Sequence, residues 1–286
     1  MIRCGIDIGG TNIKFGFFDN KKLVKSLSIK TPKEKEEIVE SIINTIKLNY
    51  KLDNIEKYSV CIPGVIKDNV VVLAPNTNIV GLNLYDLLSD GLENEDIIIE
   101  NDANLAALAE SKASNTKDLV LITLGTGVGG GIIIDNKLYN KNGFAGEIGH
   151  LKVEFGPHAR RCACGGFGCA ETYCSAKNMP REYNFKHHTK FNSKQLFDLY
   201  LKGDLDAKKN VEHFARYLGI LIANINQVVA INTFRIGGGL SHASEYFLDK
   251  VIYYYKMNVI NNLKENCVIE KAKLDSSAGI YAVIYL

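Results

Sequence analysis

No stretch of this 286-residue chain approaches the roughly 18 consecutive apolar residues that a membrane-spanning helix requires. The start, Met1-Ile2-Arg3-Cys4-Gly5-Ile6-Asp7, lacks the apolar h-region of a signal peptide. The sequence therefore predicts a cytoplasmic protein with no membrane partner. Surplus charge of one sign is missing as well: 34 Lys and Arg against 32 Asp and Glu leave +2. These charges are scattered, without the concentrated basic stripe that binding a phosphate backbone demands, so no nucleic-acid partner is expected. There is no low-complexity tract, and 46% hydrophobic residues fill a core for one large domain or two of ordinary size, which excludes disorder. An even framework of cysteines is also lacking. Seven is an odd count, so reduced thiols or a metal site are expected in place of disulfides.

The chain reads as two copies of one idea. Ile2 to Ile8 has the pattern of a buried strand, and after Gly9-Gly10-Thr11 the apolar residues alternate at Ile13, Phe15 and Phe17 before an Asp19-Asn20-Lys21-Lys22 turn. The glycines thus lead into a strand, whereas a Walker A or Rossmann loop opens a helix. A shift of 116 residues finds the pattern again in Leu119 to Leu124, Gly125-Thr126-Gly127, Ile132-Ile133-Ile134 and Asp135-Asn136-Lys137. Ile6, Gly9, Asp19, Asn20 and Lys21 map without a gap onto Ile122, Gly125, Asp135, Asn136 and Lys137, which points to a duplication. Between the copies, Ile38, Ile42, Ile43 and Ile46 carry helical spacing within Lys33 to Asn49, Tyr58 to Ile62 reads as a strand ending in Pro63-Gly64, and Ile97-Ile98-Ile99 reads as another. A mixed sheet with crossover helices follows. Asn101-Asp102 then leads into an Ala-rich helix, Ala103 to Ser111, and the polar stretch Ser111 to Lys117 resembles an interdomain link. In the second half Val211 to Ile231 predicts a long helix, and Thr233 to Ile236 a short strand entering a third glycine turn, Gly237-Gly238-Gly239.

Glycine has no Cβ to hold an anion away, so a pair of such hairpins can bring backbone N–H groups close to a polyphosphate. Asp7, at the first loop, would clash with bare phosphate; its sensible role is to hold Mg²⁺ through water, while Thr11 and Thr126 donate hydroxyls. Each loop alone is equally a tight turn with no ligand. Asp102 has two compatible readings: a helix N-cap, and a carboxylate kept ionised by the helix dipole that accepts a hydroxyl proton during phosphoryl transfer. The strongest local signal is Cys162-x-Cys164-x4-Cys169 with His150 twelve residues before the first thiol. Three thiolates and an imidazole suit tetrahedral Zn²⁺, and a closed set of four protein ligands is a structural site. Gly165, Gly166 and Gly168 let the backbone wrap around the ion. Cys4, Cys61, Cys174 and Cys267 read as small core residues, His158, His187 and His188 as surface residues, and Arg160-Arg161 as a solvated loop more than a nucleic-acid contact.

Asp7-Ile8-Gly9-Gly10-Thr11-Asn12-Ile13-Lys14, Asn101-Asp102-Ala103-Asn104, Leu124-Gly125-Thr126-Gly127-Val128-Gly129-Gly130-Gly131, Gly146-Glu147-Ile148-Gly149-His150 and Cys162-Ala163-Cys164-Gly165-Gly166-Phe167-Gly168-Cys169-Ala170-Glu171 together resemble the ROK family of bacterial sugar kinases and sugar-responsive repressors. The motifs stand in the family's order over nearly the whole chain. The resemblance implies an α/β protein of the actin-like, hexokinase-like ATPase fold, with two RNase H-like domains and a cleft between them. The smaller domain would be 1–115, completed by a C-terminal helix at 275–286 that includes Ser277-Ala278-Gly279-Ile280-Tyr281-Ala282. The larger would be 116–274 with the zinc-binding loop. It implies ATP and Mg²⁺ held by Asp7, Gly9, Gly10, Thr11, Asn12, Lys14, Gly125, Thr126, Gly127, Gly238 and Gly239. Asp102 would be the base on a sugar hydroxyl, with Asn101, Glu147, His150 and Glu171 as sugar contacts; Asn78, in Asn76-Thr77-Asn78-Ile79-Val80-Gly81, resembles the family's other sugar-binding asparagine. His150 would face both zinc and sugar, one ring nitrogen to each. A homodimer is expected.

Leu82 stands where many family glucokinases have tryptophan, and Arg160-Arg161 matches no one substrate class. Glu147 favours a glucokinase-like pocket over the kinases that carry histidine there, although kinases of N-acetylated hexosamines also carry glutamate. The expected activity is transfer of the γ-phosphoryl group of ATP to a hexose, first to the 6-hydroxyl of glucose. N-acetylmannosamine, N-acetylglucosamine and fructose are the alternative substrates. A sugar-sensing repressor would place a DNA-binding winged helix ahead of the first glycine loop, where here a strand begins at Ile2. A chaperone or filament-forming relative would not need Glu147, His150, Glu171 or the thiols.

Overall fold

Strands form where β-branched and aromatic residues alternate, and the first of them set the frame. The computed structural model describes residues 1–75, 77–274 and 278–286. β1 (Ile2–Ile8) and β2 (Asn12–Asp19) pair antiparallel, Ile8 opposite Ile13 and Ile2 opposite Asp19, with β3 (Lys22–Lys30) beyond β2. α1 (Lys35–Asn49) follows, its dipole matched by Glu36 and Glu37 in the first turn and Lys47 in the last, and Ile38, Ile42 and Ile46 buried at helical spacing. β4 (Ile55–Ile62), the small hairpin of β5 (Val65–Lys67) and β6 (Val70–Leu73), α2 (Leu84–Leu92), β7 (Ile97–Asn101) and α3 (Asp102–Ser114) continue the chain. The first sheet has the order β3-β2-β1-β4-β7, with β4 parallel to both β1 and β7.

The same order recurs in the second half. β8 (Leu119–Leu124) and β9 (Val128–Ile134) form an antiparallel hairpin, followed by β10 (Lys137–Leu138) and the short helices α4 (Glu171–Cys174), α5 (Arg181–His187) and α6 (Ser193–Leu201). The long α7 (Leu205–Val229), β11 (Thr233–Gly237), α8 (Leu248–Asn258), α9 (Asn261–Lys264), β12 (Val268–Lys271) and α10 (Ala278–Tyr281) complete it. The second sheet runs β10-β9-β8-β11-β12, with β11 parallel to β8 and β12. α7 buries Val211, Phe214, Leu218, Leu221, Ile222 and Ile225 against this sheet's core, which also holds Phe234, Phe247 and Tyr255. Repeated topology supports the duplication, with one correction to its alignment. The corresponding tight turns with positive φ are Asn20-Lys21, between β2 and β3, and Asp135-Asn136, between β9 and β10. Four residues separate Ile8 from Ile13 but only three separate Leu124 from Val128, so equivalence beyond the glycine loop is 115 residues, not 116.

The chain divides into two units. One holds residues 1–116, 136–145 and the C-terminal segment through Leu286; the other holds 117–135 and residues from 146 into the stretch before that segment. The first boundary falls within Ser111 to Lys117, but this stretch is no free linker: its first four residues are the end of α3, and the buried Ser111 donates to the Thr116 carbonyl at 2.7 Å. In the first unit the C-terminal segment lies on the sheet face opposite α1. Phe18, Val283 and Ile284 are buried together, and Gly5 allows the Ile280 carbonyl to lie where a Cβ would stand 2.0 Å from it. Asn76 and 275–277, including Ser277 of the expected helix, lie outside the described residues. Among the described residues, no helix is long and apolar enough to cross a membrane.

Candidate functional site

In the first unit β1 delivers Asp7 to the edge of the glycine turn. Its carboxyl is pushed up by burial, opposed by Lys14 directly across the β1–β2 ladder and by the thiol of Cys61, its neighbour on β4. The turn is closed by Gly9 N–H to the Asn12 carbonyl (3.1 Å) and braced by the Thr31 hydroxyl donating to the Gly9 carbonyl (2.6 Å). Gly10, Thr11 and Lys14 are left exposed. Backbone groups fixed this way present donors without side-chain obstruction, which suits a phosphate.

The turn from β7 into α3 carries Asn101 and Asp102. The N-cap is Asn101, not Asp102: its Oδ1 accepts from the N–H groups of Ala103 (2.9 Å) and Asn104 (3.3 Å), and its Nδ2 donates to the Gly64 carbonyl at 2.8 Å. Asp102 is the first helical residue, exposed, with Oδ1 accepting from Ala103 N–H at 2.8 Å. The carboxylate therefore sits in the helix dipole without being needed as the cap. Glu100, which the sequence reading passed over, fastens this turn: Oε1 accepts from Asn101 N–H and Asn104 Nδ2, and Oε2 from Asn140 Nδ2. Nothing in the local pattern marks a partner forty residues on. Asn78 is exposed and donates to the Lys33 carbonyl at 3.3 Å.

In the second unit the loop Gly125-Thr126-Gly127 closes by Gly125 N–H to the Gly127 carbonyl (3.0 Å), with Thr126 exposed. Gly238 (φ +77°) turns back against Leu124, where a Cβ would lie 2.6 Å from the Leu124 carbonyl, and Gly239 begins a short 3₁₀ helix. Glu171, at the start of α4, reaches this loop: its Oε2 accepts from Val128 N–H at 3.2 Å, and a Cβ on Gly127 would meet the same oxygen at 2.4 Å. Glu147 and His150 lie on a short 3₁₀ turn, with Glu147 Oε2 and His150 Nε2 3.8 Å apart. Burial raises the Glu147 carboxyl, His150 opposes that, and Glu171 adds to it. The residues expected at sugar are thus divided: Asn78, Asn101 and Asp102 in the first unit, Glu147, His150 and Glu171 in the second.

The other nitrogen of His150, Nδ1, faces the thiols, 3.7 Å from Cys162 Sγ. Cys164 and Cys169 sulfurs are 3.6 Å apart, and the ligand atoms of His150, Cys162, Cys164 and Cys169 all lie within 4.8 Å of one another. Metal–sulfur and metal–nitrogen bonds of about 2.3 and 2.0 Å in a tetrahedron imply edges of about 3.8 Å between sulfurs and about 3.6 Å from sulfur to nitrogen. The donor set fits a structural zinc. Gly165 (φ +89°) and Gly168 (φ +73°) make the turns that gather the thiols, and a Cβ on Gly168 would overlap the Glu154 carbonyl. Cys4, Cys61 and Cys174 are buried, as small core residues, and Cys267 is half-buried.

Arg160 departs from its expectation as solvated. Its side chain is 15% exposed, its Nη1 donates to the Thr172 carbonyl (2.7 Å), its Nη2 to Glu182 Oε1 (2.6 Å), and its guanidinium stacks on Tyr173. It therefore ties the thiol loop to α4, which carries Glu171. A pair of adjacent arginines in a polar loop gave no local sign of this, because the acceptors lie 12 and 22 residues on.

Comparison with known proteins relates the chain as a whole to one family. The model described as ROK family matches residues 3–286. A glucokinase of Halalkalibacterium halodurans is 30% identical, over 96% of this chain and 92% of its own length. An N-acetyl-D-glucosamine kinase of Citrobacter koseri is also 30% identical, over 83% of this chain and 84% of its own. The crystal structure of a ROK family glucokinase from Streptomyces griseus in complex with glucose and AMPPNP is 28% identical, with a TM-score of 0.81, covering 99% of this chain and 98% of that one. The repeated sheet order is that of the actin-like, hexokinase-like ATPase fold.

Proposed function

Because the chain belongs to the ROK family, we propose that it is an ATP-dependent sugar kinase that transfers the γ-phosphoryl group to a hexose hydroxyl, foremost the 6-hydroxyl of glucose. The observation that carries this reading is the carboxylate and imidazole set of the second unit: Glu147 beside His150 Nε2, and Glu171 anchored to the glycine loop by Val128 N–H. Carboxylate acceptors beside an imidazole N–H donor, held at fixed orientation by the backbone and by the thiol loop behind His150, suit a polyhydroxylated ligand. The relatives support the same substrate class.

In this reading Asp102, at the α3 N-terminus, accepts the proton of the attacking sugar hydroxyl. Asn78, Asn101, Glu147, His150 and Glu171 orient the sugar. The residues proposed to receive ATP are Gly9, Gly10, Thr11, Asn12, Lys14, Gly125, Thr126, Gly127, Gly238 and Gly239. Asp7 holds Mg²⁺, which when bound neutralises charge on the phosphate oxygens. Zn²⁺ held by His150, Cys162, Cys164 and Cys169 has a structural role, fixing the His150 ring so that Nε2 meets the sugar; a closed four-ligand set leaves no position for a reacting water. The proposal includes a homodimer, which light scattering tests.

A coupled ADP-release assay with Mg²⁺ over hexoses and hexosamines is the decisive experiment. The expected result is a phosphorylated product with glucose at the lowest KM. N-acetylglucosamine, favoured by the similarity to a kinase of that sugar, is the second candidate, followed by N-acetylmannosamine and fructose. If no monosaccharide yields a phosphorylated product, the kinase reading fails and a purely sugar-sensing role replaces it.

A further inference from the structure

Lys152 lies outside the four-ligand set yet is bound to it by both main chain and side chain. Its backbone forms an isolated antiparallel bridge with Cys169, its carbonyl accepts from Asn224 Nδ2 at 3.2 Å, and its Nζ donates to Cys169 Sγ at 2.8 Å. The residue is half-buried. The room for its ammonium comes from Gly166, on which a Cβ would stand 2.6 Å from Nζ. The same Cβ would lie 3.6 and 3.8 Å from the sulfurs of Cys164 and Cys169, ordinary contact distances, so a methyl there makes the flexible end of Lys152 shift and spares the thiols.

Charge gives this contact a purpose. Three thiolates and a neutral imidazole around a dication leave a net charge of −1. The Lys152 ammonium, hydrogen-bonded to Cys169 Sγ, sets a positive charge against that excess, and a charge-assisted hydrogen bond is stronger than a neutral one. We propose that Lys152 is a positioning residue of the zinc site: it balances the excess charge of the Cys₃His set through Cys169, and zinc retention depends on its ammonium. This rests on the zinc reading above and adds a residue to it.

The test is zinc competition with a chromophoric chelator on the purified full chain. Wild type is expected to hold about one zinc per chain. Lys152→Met should bind zinc about 10- to 100-fold more weakly, the usual loss for a group behind a metal ligand, and Lys152→Arg should restore retention to within a few-fold. Gly166→Ala, which makes the ammonium shift, should weaken zinc less than Lys152→Met does and add little in the Lys152→Met background, since both changes act on the same contact. Lys152→Gln, which also removes the ammonium, carries the test if Lys152→Met does not fold. A zinc-free wild type overturns the metal reading and this proposal with it. One zinc per chain with unaltered affinity in Lys152→Met, or equal loss in the Met and Arg variants, overturns the role of the ammonium alone.

Discussion

Asn101 and Asp102 divide between them two tasks that adjacent polar residues at a helix start commonly share. Since Asn101 supplies the cap, Asp102→Asn should leave the melting temperature nearly unchanged, while removal of the proposed base should lower kcat by roughly 10² to 10⁴. Activity within a few-fold of wild type in a coupled assay removes Asp102 from the chemistry. The complementary change, Asn101→Ala, should cost about 1 kcal/mol, because it deprives the Asn104 N–H and the Gly64 carbonyl of their partner and leaves the Ala103 N–H to Asp102 Oδ1 alone. Denaturant unfolding measures this directly, and an unchanged midpoint would show that solvent replaces the cap without loss.

At the scale of the element, the loop of His150 and the three cysteines is held at one side by its proposed metal and at the other by Arg160. Cys164→Ser should release zinc, lower the thermal stability of the second unit and raise KM for sugar, with the Kd for ATP little changed; this is the reverse of the Asp102→Asn pattern. Metal analysis with paired KM values checks it, and an unaltered sugar KM would mean that His150 is placed by something else. The Arg160 anchor adds a pH dependence. Glu182 accepts from Arg160 Nη2 and from His213 Nδ1 (2.8 Å). The His213 hydrogen bond, with Arg160 behind it, holds the Glu182 carboxyl below its usual range, and Glu182 in turn raises the His213 imidazole. A raised imidazole contributes stability that is present below its ordinary pKa and lost as pH rises through the folded value; a lowered carboxyl contributes above its ordinary pKa and loses it as pH falls through the folded value. The pair is worth most from about pH 5 to 6. The stability difference between wild type and His213→Ala should therefore be larger at pH 5.5 than at pH 8. It should stay below about 1 kcal/mol, because both side chains are near half exposed. A difference that grows toward pH 8 would contradict this assignment.

For the whole molecule, the first unit depends on the end of the chain. Gly5 sits beneath the backbone of Ile280, with a Cβ 2.0 Å from its carbonyl oxygen and 2.8 Å from its carbonyl carbon, so neither a rotamer change nor a small shift relieves Gly5→Ala. The Val283 carbonyl accepts from Arg3 and that of Leu286 from Lys57, contacts that displacement of the segment would break. Overpacking of this kind costs typically about 1–3 kcal/mol. Gly5→Ala should accordingly lower the unfolding midpoint and expose the last residues to a protease well before the rest of the chain is cut. Unchanged stability and cleavage would mean that the segment docks without requiring glycine at position 5.

Several features of this protein follow from sequence alone because they are local. The strand–glycine–strand hairpins, the helical spacing of Ile38, Ile42 and Ile46, and the gathering of Cys162, Cys164 and Cys169 with His150 all arise from residues close in the chain, where backbone periodicity and turn glycines decide the outcome. The near-neutral charge and the lack of long apolar runs are properties of composition and need no fold. What only the tertiary structure decided is of another kind. It shortened the second glycine loop by one residue, gave the cap to Asn101, fastened Glu100 to Asn140, turned Arg160 onto Thr172 and Glu182, placed Lys152 against Cys169, and laid Ile280 over Gly5. Each of these is a contact or register that depends on which partner packing brings within a few ångströms. A periodicity of two or of 3.6 residues carries no record of a neighbour 17, 40 or 275 positions away.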